Sequence, residues 1–152
     1  MSRAFVKETA ESAAPPERMV DEGPNLVTQE GFGQIQGHIA RIEAAMKTET
    51  NVLLRETLAR DLRYWEIRNA SAQVVEPIRD GRVGFGTTLT IERKGRIQKL
   101  RIVGVDQADV ANALISFRSP LAQAVLGARP GDIIDAEEPL GEIIVRCIEE
   151  EP

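Results

Sequence analysis

Apolar side chains recur with a helical period through the first half of this 152-residue chain. Phe32, Ile35, Ile39, Ile42 and Met46 fall at spacings of 3, 4, 3 and 4, the seam of a coiled coil. Thr28 supplies N-cap chemistry ahead of them, and Glu30 sits in the first turn, where the helix dipole favours an anion. Gly31, Gly33 and Gly37 each cost about 1 kcal/mol relative to Ala, so this helix needs a partner. Lys47-Thr48-Glu49-Thr50-Asn51 breaks the seam. Leu54, Leu58, Leu62 and Trp65 then line one side of a second helix, with Arg55, Arg60, Arg63 and Arg68 mostly turned elsewhere. Two helices of about 20 residues around a short polar break predict an antiparallel hairpin over residues 26–75. Its narrow seam favours a projecting coiled coil over helices that merely cover a core.

The period then changes. Val83, Phe85, Leu89 and Ile91 alternate, predicting a strand over Val83–Glu92, and Ile97, Leu100, Ile102 and Val103 mark the next, with Lys94-Gly95 as the turn. Leu114-Ile115-Ser116-Phe117 reads as a third strand. Pro120 opens a short helix through Leu121, Ala122, Ala124, Val125 and Leu126, which Gly127 ends. Pro130-Gly131-Asp132 is a turn, and Ile133-Ile134 and Ile143–Ile148 supply the last strands. Residues 76–152 are thus expected to form an antiparallel sheet with one short helix, making the whole chain α+β. A core of this size is small but sufficient.

Residues 1–25 have no apolar period, and Ala13-Ala14-Pro15-Pro16-Glu17 and Gly23-Pro24-Asn25 suit a flexible tail, from which Phe5 and Val6 could still dock. Hydrophobic residues make up 42% and charged residues 28%, the balance of a folded globular protein. No apolar run is long enough for a membrane span or a signal-peptide core, so a cytoplasmic protein with no membrane partner is expected. One Cys and one His exclude an internal disulfide and a common zinc site. Any Ser-His-Asp or Cys-His device would have to use His38, which reads as a solvent-facing helix residue. No catalytic residue, metal or cofactor is expected. The net charge of -5 divides as -2 over residues 1–27, zero over 28–75 and -3 over 76–152. No region is net positive, which disfavours autonomous nucleic-acid binding.

Two stretches carry a family resemblance. One is Val83-Gly84-Phe85-Gly86-Thr87-Thr88-Leu89-Thr90, followed by Leu100-Arg101-Ile102-Val103-Gly104-Val105-Asp106-Gln107-Ala108-Asp109. The other runs Ile115-Ser116-Phe117-Arg118-Ser119-Pro120-Leu121-Ala122-Gln123-Ala124-Val125-Leu126-Gly127, then Gly131-Asp132. Residues 83–148 resemble the Gre family of bacterial transcription elongation factors, with looser likeness at 26–31 and 71–75. The resemblance implies an N-terminal antiparallel coiled coil and a C-terminal domain with an FKBP-like fold. That domain would grip RNA polymerase at the rim of its secondary channel, which the coiled coil enters. In the family, an Asp and a Glu near the tip help hold a second magnesium ion that promotes cleavage of backtracked RNA. The polymerase contact implied here is the corner Arg118, Ser119, Pro120 and Leu121. A Pro-started helix presents free N–H groups and a small apolar knob, although Arg118 stands where some members carry an acid.

The hairpin departs from the family pattern. Thr28 and Ser71 lie 43 positions apart, whereas cleavage factors have a hairpin longer by roughly twenty residues, or about 15 Å of reach. The acidic tip motif is missing. Thr48, Glu49, Thr50 and Asn51 form the tip, with Glu43 and Glu56 on its flanks. These features suggest a monomeric regulator that binds polymerase at the secondary channel without stimulating cleavage and competes with full-length cleavage factors. Two alternatives remain open. One is a cleavage factor that uses Glu49. The other is a regulator or interaction module resembling the Rnk-type regulators of nucleoside diphosphate kinase, which pair the same C-terminal domain with a truncated coiled coil. Arg93, Lys94, Arg96, Lys99 and Arg101 form a basic hairpin that could meet RNA, polymerase acids or the chain's own Glu149-Glu150-Glu151; a charge-protected edge strand is the plainer reading. Tyr64 and Trp65 read as packing residues. Too few aromatics exist to line a prolyl-isomerase pocket.

Overall fold

A computed structural model describes residues 15–149. They fall into two compact units: a helical one holding residues 15–23 and 34–71, and a sheet unit holding residues 24–33 and 72–149. The division differs from the expected 1–25, 26–75 and 76–152, because the first turn of the first helix belongs with the sheet unit.

In the helical unit, helices α1 (Gln29–Thr48) and α2 (Val52–Ser71) each run for 20 residues, or about 30 Å. Of the expected seam, Ile35 and Trp65 are buried, while Ile39, Ile42, Met46, Leu58 and Leu62 are half-buried. Leu54 is exposed at the tip. His38 is not a free surface residue. Its ring stacks on Trp65 at 4.1 Å between centroids and 9° between planes. Arg41 Nη2, which can only donate, lies 3.1 Å from His38 Nδ1.

Residues 15–23 do not behave as a loose arm. Arg63 donates to the Glu17 carboxylate through Nε, at 3.1 Å, and through Nη2. The guanidinium of Arg18 lies 3.6 Å from Asp61 and 3.8 Å over the Tyr64 ring. The tail reading missed these contacts because they are charge and cation–π pairings with no apolar period. Phe5 and Val6 lie outside the described residues.

The sheet unit contains two sheets. Strand β1 (Asn25–Val27) pairs in parallel with β2 (Ala72–Val74), directly before and after the two helices. The larger sheet has the order β5-β4-β3-β7-β6, from β3 (Thr88–Arg93), β4 (Arg96–Val103), β5 (Leu114–Ser116), β6 (Ile133–Asp135) and β7 (Glu142–Glu149). It is antiparallel except that β5 joins β4 in parallel. One face buries Leu89, Ile91, Leu100, Ile102, Ile143 and Val145 in a cluster with Ala122 and Val125 of helix α3 (Pro120–Val125). On the other face the basic residues are partly neutralised: Lys99 lies 2.6 Å from Glu149, Arg101 3.2 Å from Glu30, and Arg146 pairs with Glu92. Glu150 and Glu151 lie outside the described residues.

The strand expected from Val83 begins only at Thr88. Phe85-Gly86-Thr87, placed on a strand by alternation, is a turn. Gly86 takes φ +83° and its amide donates to the Ile102 carbonyl at 2.8 Å, while the Gly84 amide donates to Thr87 Oγ1 at 3.0 Å. Val83 and Phe85 alternate for a different reason. Val83 is buried and bonded to the end of α3, its amide donating to Ala128 O at 2.8 Å, and Phe85 meets Phe117 edge-on at 5.6 Å.

The start of α1 is fixed by one polar link. Thr28 Oγ1 accepts from the Gly31 amide at 3.0 Å and donates to Gln107 Oε1 at 2.6 Å. Both Thr28 and Gln107 are buried, so the cap is also a tertiary bond to the loop after β4. That loop begins at Gly104, where a Cβ would lie 2.4 Å from the Leu26 carbonyl oxygen.

Candidate partner-binding sites

The hairpin tip is built from its own polar groups. Asn51 Oδ1 accepts from the Leu54 amide at 3.1 Å, the N-cap bond of α2. Glu49 Oε1 accepts from the Asn51 amide at 3.0 Å. Arg55 Nη1 donates to the Met46 carbonyl at 2.6 Å and the Glu49 carbonyl at 2.8 Å, satisfying carbonyls that the end of α1 leaves open. Thr48 Oγ1 reaches back to the Ala45 carbonyl at 3.4 Å, and Thr50 is exposed. Among the candidate tip residues, Glu49 and Asn51 therefore hold the turn together. No acid lies in the first turn of α2. Instead Val52, Leu53 and Leu54 stand 69%, 42% and 53% exposed. The sequence reading passed over this trio because it looked for acid at the tip and counted Leu54 as seam. Three adjacent apolar residues after a polar break, two of them off the heptad, were the available signal.

The second candidate lies at the start of α3. Ser119 is its N-cap, with Oγ accepting from the Ala122 amide at 3.3 Å, and Pro120 occupies the first helical position. The Arg118 amide donates to Ser116 Oγ at 3.1 Å, and Gln123 Nε2 donates to Phe117 O at 2.6 Å. These bonds make the corner rigid. Arg118 and Pro120 are exposed, whereas Leu121 is half-buried against the core cluster. The four candidates thus split. Arg118 and Pro120 form an outward surface, Ser119 shapes it, and Leu121 ties it to the core.

The sheet unit also holds a groove of about 410 Å³ that sequence reasoning missed. Arg79, Arg82 and Arg101 face Glu30, Glu76 and Glu149 around it, so its charge is balanced. The Glu76–Arg82 segment that forms one wall has no periodicity to mark it. Among the described residues no three His, Cys, Asp or Glu side chains come together as a metal site. No described helix is long and apolar enough to cross a membrane.

Residues 78–151 match the family model described as transcription elongation factor, GreA/GreB, C-terminal. Over 78 residues the chain is 37% identical to transcription elongation factor GreA of Alkalilimnicola ehrlichii, covering 48% of this chain and 49% of that protein. Over 93 residues it is 40% identical to GreB of Pseudomonas syringae pv. tomato, covering 59% of each. The chain thus matches about half the length of these curated relatives. Solved structures that resemble it include GreA factor homolog 1 (Gfh1) of Thermus thermophilus, with 18% identity and TM-score 0.41 over 84% of this chain and all of that one. A GreA/GreB factor from Nitrosomonas europaea gives 20% identity and TM-score 0.40 over 85% of this chain and all of that one. The likeness to the GreA/GreB transcription elongation factors is thus carried by residues 78–151, which match the C-terminal domain of that family.

Proposed function

We propose that this protein binds RNA polymerase at the secondary channel through its C-terminal domain and regulates transcription without stimulating transcript cleavage. The observation that carries this reading is the tip. Its one carboxylate, Glu49, accepts a hydrogen bond from its own turn, and the adjoining helix start presents Val52, Leu53 and Leu54. A second-metal site at a polymerase active centre needs oxygen ligands at about 2.1 Å from a magnesium ion. An apolar helix start supplies none. The short helices support the same reading, because an acid one or two turns too far back cannot reach a metal.

The α3 corner is the anchor in this proposal. Arg118 gives it a charge, Pro120 a rigid apolar edge, and Ser119 holds both in place. The protein acts by occupancy: seated at the rim, it denies the channel to full-length cleavage factors. The test is equilibrium binding to purified bacterial core polymerase. The native chain is expected to bind, and Arg118→Glu and Pro120→Asp are each expected to weaken binding at least about tenfold, the equivalent of 1.4 kcal/mol. Absence of binding by the native chain, or unchanged binding by both folded variants, would overturn the proposal.

A further inference from the structure

Tyr64 and Trp65 of α2 build a corner that holds a guanidinium from another part of the chain. Their rings meet edge to face, with centroids 4.9 Å apart and planes at 81°. His38 backs Trp65 from α1, stacked on it at 4.1 Å. Asp61 lies three residues before Tyr64, on the same side of α2, and Arg60 fixes its Oδ1 by donating through Nε at 3.1 Å and Nη2 at 2.9 Å. A braced pair of rings with a carboxylate beside it suits a guanidinium, which needs a ring face for its flat side and an oxygen for its N–H edge. Arg18 sits there, 3.8 Å from the Tyr64 centroid, 5.4 Å from the Trp65 centroid and 3.6 Å from Asp61 Oδ1. Glu17, the residue before it, goes to Arg63.

The segment seated on this corner brings no apolar anchor. None of residues 15–23 is buried, and Met19, next after Arg18, is 92% exposed. The two ion pairs that seat it keep their side chains 26–63% exposed, and pairs so placed add little net stability. Its last residue, Gly23, stands at φ +104°, where the absence of a Cβ leaves other backbone angles open. Specific geometry without burial is the character of a ligand in a site rather than of a piece of core.

We infer that the Asp61–Trp65 face of α2 is a binding site for an acid–arginine pair in a protein segment, and that Glu17-Arg18 is its tethered occupant, exchanged for the matching pair of a partner protein. The site sets the specificity. Asp61 and the rings take the arginine while Arg63 takes the acid, so the ligand carries an acid immediately followed by arginine. Lysine is a poor substitute, because a compact ammonium offers no flat face to the rings. Tethering supplies Glu17-Arg18 at an effective concentration in the millimolar range. That closes the site to dilute free peptides. With no buried anchor, the segment still yields to a partner whose other contacts bring its own acid–arginine pair as near.

Opening the site in the full chain tests the inference. Glu17→Ala together with Arg18→Ala empties it, and circular dichroism checks that the chain stays folded. The probe is a free peptide with the sequence of residues 15–23, Pro-Pro-Glu-Arg-Met-Val-Asp-Glu-Gly. Emission of Trp65, the one tryptophan, and the amide resonances of residues 60–65 follow its binding. The opened chain is expected to bind the peptide saturably, with a Kd on the order of 1 mM. The native chain, its site already filled, should bind about tenfold more weakly, and as it does so the amide resonances of residues 15–23 should move to those of a released segment. Alanine in place of the peptide's arginine, or Asp61→Asn in the opened chain, should each weaken binding at least about threefold. A folded, opened chain that binds no peptide at about 10 mM would overturn the inference and leave Arg18 a packing residue. Equal binding by the opened and native chains, or by the arginine and alanine peptides, would overturn it as well, since the peptide would then lie elsewhere.

Discussion

Replacing Gly104 by Ala should damage this protein far more than adding one methyl group suggests. The new Cβ would lie 2.4 Å from the Leu26 carbonyl oxygen, about 1 Å inside ordinary contact. Leu26 cannot step aside cheaply, because it is the middle residue of β1 and pairs with Gln73 of β2. The nearby Thr28–Gln107 bond ties the following residues to the same loop. Overpacking against fixed backbone costs about 3 kcal/mol, and the smaller entropy of the unfolded Ala chain returns about 0.7 kcal/mol. The net loss is about 2 kcal/mol, a fall in Tm of roughly 4–8 °C for a chain of this size. Gly33→Ala is the matched control. Nothing lies within 4 Å of its Cβ, and the helix interior gains about 0.5–1 kcal/mol. Urea and thermal unfolding followed at 222 nm give both numbers, and hydrogen exchange at residues 25–27 shows whether β1 has been released. Equal stability of Gly104→Ala and the native chain would refute the reasoning, since β1 would then not be fixed against the loop.

Other substitutions separate the remaining features. Thr28→Val removes both the cap of α1 and its buried bond to Gln107, so unfolding should show a loss of about 2–3 kcal/mol; a loss under about 0.5 kcal/mol would show the link to be idle. Ser119→Ala removes one cap bond at the start of α3 and should cost about 1 kcal/mol by urea unfolding. The Arg63 guanidinium holds the Glu17 carboxyl below its ordinary value of 4.5. A carboxyl depressed in the folded state stabilises the docked segment above that ordinary value, and the contribution disappears as pH falls through the lowered one. Protection of residues 15–23 against hydrogen exchange, taken relative to the intrinsic rate at each pH, should therefore fall as the solution is acidified below 4.5, and Glu17→Gln should remove that pH dependence while leaving the rest of the chain unchanged.

The residues that announced themselves in the sequence were those whose packing is periodic. The 3–4 spacing from Phe32 to Met46 gave the first helix because the same face turns inward at each turn, buried at Ile35 and half-buried at the others. Thr28 was legible as a helix start because its hydroxyl completes a bond that every helix start leaves open, and Pro120 because a residue without an N–H fits the first turn. Phe85 was misread because alternation also arises where a turn sends one side chain to the core and the next to a neighbouring ring. The segment around Glu17 and Arg18 was missed because its contacts to Arg63, Asp61 and Tyr64 join residues far apart in sequence. Strand edges were half-visible: the basic run of β4 stood out, but only the strand order shows that β5 covers just its far end. At the tip, the missing acidic motif was readable from the residues between the two helices. That Glu49 and Asn51 close the turn, leaving Val52 and Leu53 outward, required the geometry.

The central claim is that this hairpin occupies polymerase without delivering a metal ligand. Transcript cleavage in stalled, backtracked elongation complexes tests it most directly, with magnesium present and the protein titrated alone and against a full-length cleavage factor. Alone, the native protein and Glu49→Ala should both leave the cleavage rate at that of polymerase by itself; added to the cleavage factor, both should slow it progressively. Acceleration of cleavage by the native protein, lost in Glu49→Ala, would contradict the account.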